Sequence, residues 1–76
     1  MSQTVKFNEP NEVLEFVNAA SRCDFDIDIF TSYNRMIVDA KSILGIMSMG
    51  IAHAMHVRCH GENKEFEQVL KKYAVG

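Results

Sequence analysis

The chain has no tryptophan, one proline, four glycines and two cysteines in 76 residues. It also contains no run of like charge and no long apolar run. Each shortage excludes something. Without a stretch approaching about 20 apolar residues, no segment can cross a bilayer as a helix. Without a lysine/arginine run, and with a formal net charge of −2, the field needed to hold a phosphate backbone is missing, which excludes a nucleic-acid partner. The opening residues MSQTVKFNEP lack the basic-then-apolar layout of a secretory signal, so the chain reads as cytoplasmic and its thiols as reduced. Cys23 and Cys59 lie too far apart to form a CxxC metal or redox motif, and both read as small packing residues.

What is present is globular. The chain is 47% hydrophobic and 24% charged, too apolar for a disordered tail. A single domain spanning residues 1–76 is expected, burying only about 60% of its unfolded surface and therefore modestly stable. Five methionines in place of tryptophan suit an adaptable core or contact surface.

The apolar pattern changes period repeatedly. Val5 and Phe7 alternate with Thr4 and Lys6 as in a short strand. Val13, Phe16, Val17 and Ala20 then recur at helical spacing, predicting a helix over about residues 11–22, with Pro10 in its first turn and Asn8 or Asn11 as cap. "DFDIDIFTS" reverts to alternation, with Phe25, Ile27, Ile29 and Thr31 on one face and Asp24, Asp26, Asp28 and Phe30 on the other. "SYNR" suits a hairpin turn, and Met36, Val38 and Ala40 a returning strand. "KSILGIMSMG" reads as a short helix opened by Ser42 and closed by Gly50. "IAHAMHVRCHG" is a fourth strand, with Met55, Val57 and Cys59 opposite His56, Arg58 and His60. "ENKEFEQVLKKYAVG" is an amphipathic helix with Phe66, Val69, Leu70 and Tyr73 inward. The order β-α-β-β-α-β-α implies an α+β, open-faced two-layer sandwich: a four-stranded antiparallel sheet covered on one face by three helices.

The candidate sites follow from this layout. The short helix owns more large apolar residues than one stripe can bury. Ile46 and Met49 share one face, while Ile43 and Met47, with Leu44 beside them, form another that is expected to be partly exposed as a protein-docking surface. Gly45 either admits a close neighbour or weakens the helix. His56 and His60, four apart on a strand, stand roughly 13 Å apart and cannot share one ion. No metal is therefore expected, and Asp26 and Asp28 are instead expected to face the cationic side of the fourth strand. His53 has no feature marking it as a nucleophile. No cofactor is implied.

The element order, together with Lys-Ser-Ile-x-Gly-x-Met-Ser-x-Gly-Ile over residues 41–51, resembles the HPr family, phosphocarrier proteins of the bacterial sugar phosphotransferase system, in its Gram-positive form. The resemblance is weaker over residues 15–29 and the last helix. It implies that Ser42 is a regulatory phosphorylation site of an ATP-dependent HPr-type kinase. It also implies that the adjoining helix docks the kinase, enzyme I and a transcriptional regulator. The family's carrier histidine follows the first strand, in a Gly-Leu-His-Thr-Arg-Pro-Ala type loop. Here that region reads "FNEPNEVLEF", shorter and with neither histidine nor arginine. Phosphohistidine chemistry needs an imidazole nucleophile, and Glu9 and Glu12 would repel the phosphoryl anion.

The resulting expectation is a non-catalytic, HPr-like regulatory or adaptor protein, not an enzyme, with Ser42 as the modified residue and Ile43, Leu44 and Met47 as the docking surface. It resembles the family's catabolite-repression branch, which also lacks the carrier histidine. Two alternatives remain open: a phosphocarrier acting through a non-standard residue, and a plain protein-binding module in which Ser42 only caps a helix.

Overall fold

The structure is a computed structural model describing residues 2–32 and 36–75. Seven elements follow in chain order: β1 (Ser2–Val5), α1 (Pro10–Ser21), β2 (Ile27–Phe30), β3 (Val38–Asp39), α2 (Ile43–Ser48), β4 (Met55–Cys59) and α3 (Lys64–Tyr73). The strands form one antiparallel sheet in the order β1-β4-β2-β3. The expected α+β open-faced sandwich is the observed fold.

Alternation decides which side of the sheet is wet. Val5, Ile27, Ile29, Met55, Val57 and Cys59 are buried beneath the helices, whereas Arg58 and His60 are exposed. The helices return matching stripes to the same core: Val13, Phe16, Val17 and Ala20 from α1, Ile46 and Met49 from α2, and Phe66 and Leu70 from α3. Aromatic contacts knit the β1 side together, with Phe7 at 5.2 Å from Phe16 and 5.3 Å from Tyr73, and Phe16 at 5.4 Å from Phe66. Each such ring buried whole contributes about 1.5–3 kcal/mol, a large share of the stability of so small a core.

Several expected boundaries shift. Neither Asn8 nor Asn11 caps α1. Glu9 occupies the N-cap with no side-chain bond, Asn11 lies inside the helix, and the Asn8 N–H is taken by Glu12 Oε1 at 2.7 Å. β2 is confined to four residues, although the Asp26 carbonyl still accepts the His60 N–H at 3.0 Å. β3 has only two residues, and Met36 ahead of it is 48% exposed. The expected SYNR turn spans residues 32–35, of which 33–35 lie outside the described residues.

The fourth strand starts at Met55 and not at Ile51, because Gly50 (φ 81°) and Ala52 (φ 69°) both take left-handed backbone that no strand tolerates. The Ala52 N–H is held by the Phe7 carbonyl at 2.7 Å, which fixes that bend against the end of β1. Past α3, the chain pairs with β1 through a Val5–Ala74 bridge and a bond from the Val75 N–H to the Thr4 carbonyl at 2.9 Å.

Candidate functional site

The segment from Asp39 to Gly50 folds largely by its own chemistry. The Asp39 carboxylate accepts the Lys41 N–H at 2.9 Å and the Asp39 carbonyl accepts the Ser42 N–H at 2.9 Å, turning the chain off β3. Ser42 is extended (φ −107°, ψ 106°), and its Oγ accepts the Gly45 N–H at 3.1 Å. This is the expected N-cap, worth about 1 kcal/mol. At the other end Met49 is the C-cap and Gly50 the left-handed residue after it, as expected.

Apart from Ile43, the apolar residues from Ile43 to Met49 divide as the helical wheel requires. Ile46 is fully buried and Met49 nearly so. Leu44 is 82% exposed and Met47 37%. Ile43 is half-buried, packed against the core, so it forms the shoulder of the outer patch and not its crest. Half-buried Ser42 leads into this patch. Gly45 is explained by a close approach: a Cβ there would lie 2.3 Å from Val38 Cγ1 on β3.

Lys41 does something the sequence did not signal. Its Nζ donates to the Cys23 carbonyl at 2.9 Å, just past the C-cap of α1, whose last turn has no basic residue. An ammonium from another segment thus meets the negative end of that helix.

A second region lies at the junction of β1 with α1, where the last turn of α3 and the residues after it also converge. Lys6, Asn8, Glu12, Lys72, Tyr73, Ala74 and Val75 line a cleft of about 340 Å³. Its oxygen nucleophiles are engaged. Glu12 accepts the Asn8 N–H, and the Tyr73 hydroxyl donates a short hydrogen bond to Glu15, which also accepts from Lys72 Nζ at 3.0 Å. Burial and the bond to Glu15 push the Tyr73 phenol up to about 12. The Tyr73 bond, followed by Lys72, holds the Glu15 carboxyl below its ordinary value. The three histidines of the chain, at 53, 56 and 60, belong to other parts of the molecule.

Those histidines sit where strand geometry sends them. β4 adjoins β2, with Arg58 directly across from Asp28 and His60 Nε2 at 3.0 Å from Asp28 Oδ2. His56 approaches Thr4 Oγ1 at 3.3 Å and the Phe30 ring at 5.4 Å, and the Arg58 guanidinium stands 5.2 Å from the centre of that ring. His53 lies off the strand, its Nε2 3.1 Å from the Met49 carbonyl. Among the described residues no three His, Cys, Asp or Glu side chains converge as metal ligands would. Cys23 and Cys59 are buried in the core, and burial raises both thiols above their ordinary value.

Comparisons with known proteins identify the family and the fold. The sequence model of one family, described as the PTS HPr component phosphorylation site, matches residues 13–74. Among solved structures, the chain is similar to the phosphocarrier protein HPr of Bacillus anthracis str. Ames, with 26% identity over 99% of this chain and 96% of that one, at a TM-score of 0.73. It is similar in fold to HPr-C-His of Thermoanaerobacter tengcongensis, with 24% identity over 95% of this chain and 88% of that one, at a TM-score of 0.75. The fold is also that of the histidine-containing phosphocarrier protein of a Mycoplasma, with 20% identity over 95% and 86% of the two chains and a TM-score of 0.67. No curated protein matches the chain.

Proposed function

The chain belongs to the HPr family of the phosphotransferase system, and from that premise we propose that it is a non-catalytic regulatory member, phosphorylated on Ser42 and docking through Ile43, Leu44 and Met47. Proteins of this family interact with other components of the system, such as enzyme I. The partners inferred for this chain are an HPr-type kinase, enzyme I or a transcriptional regulator, in the bacterial cytoplasm.

One observation carries the reading: the largely bare Leu44 and the partly exposed Met47 stand on the same short helix that Ser42 opens. An apolar patch beside a half-buried serine hydroxyl is what a partner that reads a phosphorylation state can use. The step is an ordinary phosphoryl transfer. Ser42 Oγ attacks the γ-phosphorus of ATP, the Oγ–P bond forms, the bond to the leaving β-γ bridging oxygen breaks, ADP departs, and the hydroxyl proton passes to a base of the kinase.

The test incubates wild type and Ser42→Ala with ATP and an HPr-type kinase, after confirming that both are folded. A phosphate adduct on wild type that is lost in Ser42→Ala is expected. No adduct on either leaves Ser42 as a cap only and favours a plain binding module. Leu44→Glu separates docking from folding. At 82% exposure it should change stability by no more than about 0.5 kcal/mol, yet weaken enzyme I binding at least about tenfold.

The carrier alternative has less support. The region after β1 lacks an imidazole, the Tyr73 hydroxyl is held protonated, and Glu12 is occupied by the Asn8 N–H. Incubation with phosphoenolpyruvate and enzyme I is expected to give no acid-labile phosphate, and an adduct would transfer the function to that reading.

A further inference from the structure

Lys41 joins two parts of the molecule that the chain separates by eighteen residues. On one side its ammonium holds the Cys23 carbonyl at 2.9 Å. Cys23 is otherwise tied to α1 by its N–H to the Ala20 carbonyl at 3.0 Å and its thiol to the Ala19 carbonyl at 3.6 Å, next to the Arg22 N–H on the same Ala19 carbonyl at 3.3 Å. On the other side, the Lys41 backbone N–H rests on the Asp39 carboxylate, and Ser42 is the next residue. This turn therefore already contains one negative charge where a phosphoserine would add nearly two more.

Lys41 directly precedes Ser42 in the chain, and its four-carbon stem is flexible, so its ammonium is free to swing from the Cys23 carbonyl toward a phosphate on Ser42 Oγ. The competition is unequal. A carbonyl offers the ammonium a dipole, whereas a dianion offers full charge and a shorter, stronger hydrogen bond. Arg22, the cation at the end of α1, is largely exposed and lies 3.9 Å from Glu65 of α3.

We propose that a phosphoryl group on Ser42 draws the Lys41 ammonium off the Cys23 carbonyl, so that modification at the head of α2 loosens the last turn of α1. This rests on Ser42 being the modified residue. It adds that the signal is not confined to α2: the Arg22–Glu65 region becomes part of what a partner reads.

The test uses the full chain with phosphoserine encoded at position 42 during synthesis, its unmodified parent, and both with Lys41→Gln. Amide hydrogen exchange follows Arg22 and Cys23, and phosphorus NMR follows the phosphate's ionisation. Phosphoserine is expected to speed exchange at both amides roughly fivefold in the parent. Lys41→Gln alone should produce the same acceleration, with no further change on adding phosphoserine. The phosphate should ionise at lower pH in the parent than in Lys41→Gln, because the ammonium favours its dianion.

Unchanged exchange on phosphorylation, or an equal acceleration by phosphoserine in the Lys41→Gln background, overturns the proposal. If Lys41→Gln does not fold, the exchange comparison in the parent decides alone. Because no kinase is used, a null result here removes the transmission while leaving kinase recognition of Ser42 intact. A kinase that ignores Ser42 leaves the transmission measurable.

Discussion

Gly45→Ala sets two known effects against each other. Glycine in a helix costs up to about 1 kcal/mol relative to alanine, so on propensity alone the substitution should stabilise α2. The structure predicts the reverse. The new Cβ would stand 2.3 Å from Val38 Cγ1, 3.1 Å from Ser42 Oγ and 3.4 Å from Ser42 Cβ. The first distance is far inside contact, and valine, branched at Cβ, has few rotamers to retreat into. Overpacking of this kind costs about 1–3 kcal/mol. Offset by the propensity gain, a net loss of about 1 kcal/mol is expected, which in a domain of this size lowers the melting temperature by about 4–8 °C. The pressure on Ser42 also disturbs the cap, so the amide of Gly45 itself should lose protection from exchange. The decisive measurement is a double-mutant cycle with Val38→Ala, followed by urea titration. Once the clash is removed, Gly45→Ala should become stabilising, giving a coupling of about 1–3 kcal/mol between the two sites. Stabilisation by Gly45→Ala in the wild-type background, with no coupling to Val38, would refute the close-approach explanation and leave that glycine merely a weak helix former.

Tyr73 keeps its proton to about 12 in the native state, whereas the unfolded phenol ionises near 10. The stability it confers is intact below about 10 and is lost as the pH rises toward 12. Glu15, shifted the other way, confers stability that is present above its ordinary 4.5 and lost as the pH falls below it. Thermal melts across pH should therefore show Tyr73→Phe reducing the alkaline decline, the part that remains coming from the buried thiols, and flattening the acid one, and an unaltered alkaline limb in that variant would contradict the assignment. The buried thiols of Cys23 and Cys59 should react with an aromatic disulfide reagent at least about 100-fold more slowly in the native chain than in denaturant, so fast stoichiometric labelling without denaturant would show them to be accessible. Ser42→Ala should lose about 1 kcal/mol of stability by urea titration, and Ser42→Asp, which keeps a capping oxygen, should recover most of it. Equal losses in the two would mean that the bond to the Gly45 N–H contributes little.

The local features of this protein were legible in its sequence. The switches between two-residue and 3.6-residue spacing mark the strands and helices in their order, because a side chain's direction follows from backbone geometry within one element. Ser42 as cap, Gly50 as terminator and the surplus of apolar residues on α2 could be read for the same reason: each is settled within a few residues. Boundaries were less legible. The start of β4 depends on Ala52 adopting a left-handed backbone, an unfavourable state for alanine in which its N–H meets the Phe7 carbonyl from a distant part of the chain. The cap of α1 was not legible because asparagine's preference for that position yields to Glu12, one turn inside the helix, which takes the Asn8 N–H.

Only the tertiary structure decided which long-range partners each side chain meets. Val38 against Gly45, Lys41 on the Cys23 carbonyl, Glu15 beneath Tyr73 and Ala74 alongside Val5 link residues whose separations carry no periodic signature. The same holds for Ile43, which the helical wheel puts on the outer face and the packing draws half inward. A pattern along the chain determines which way a side chain points within its own element. What stands opposite it depends on how the layers close over one another, and that closure turned Lys41 from one more charge beside Ser42 into a tether to α1.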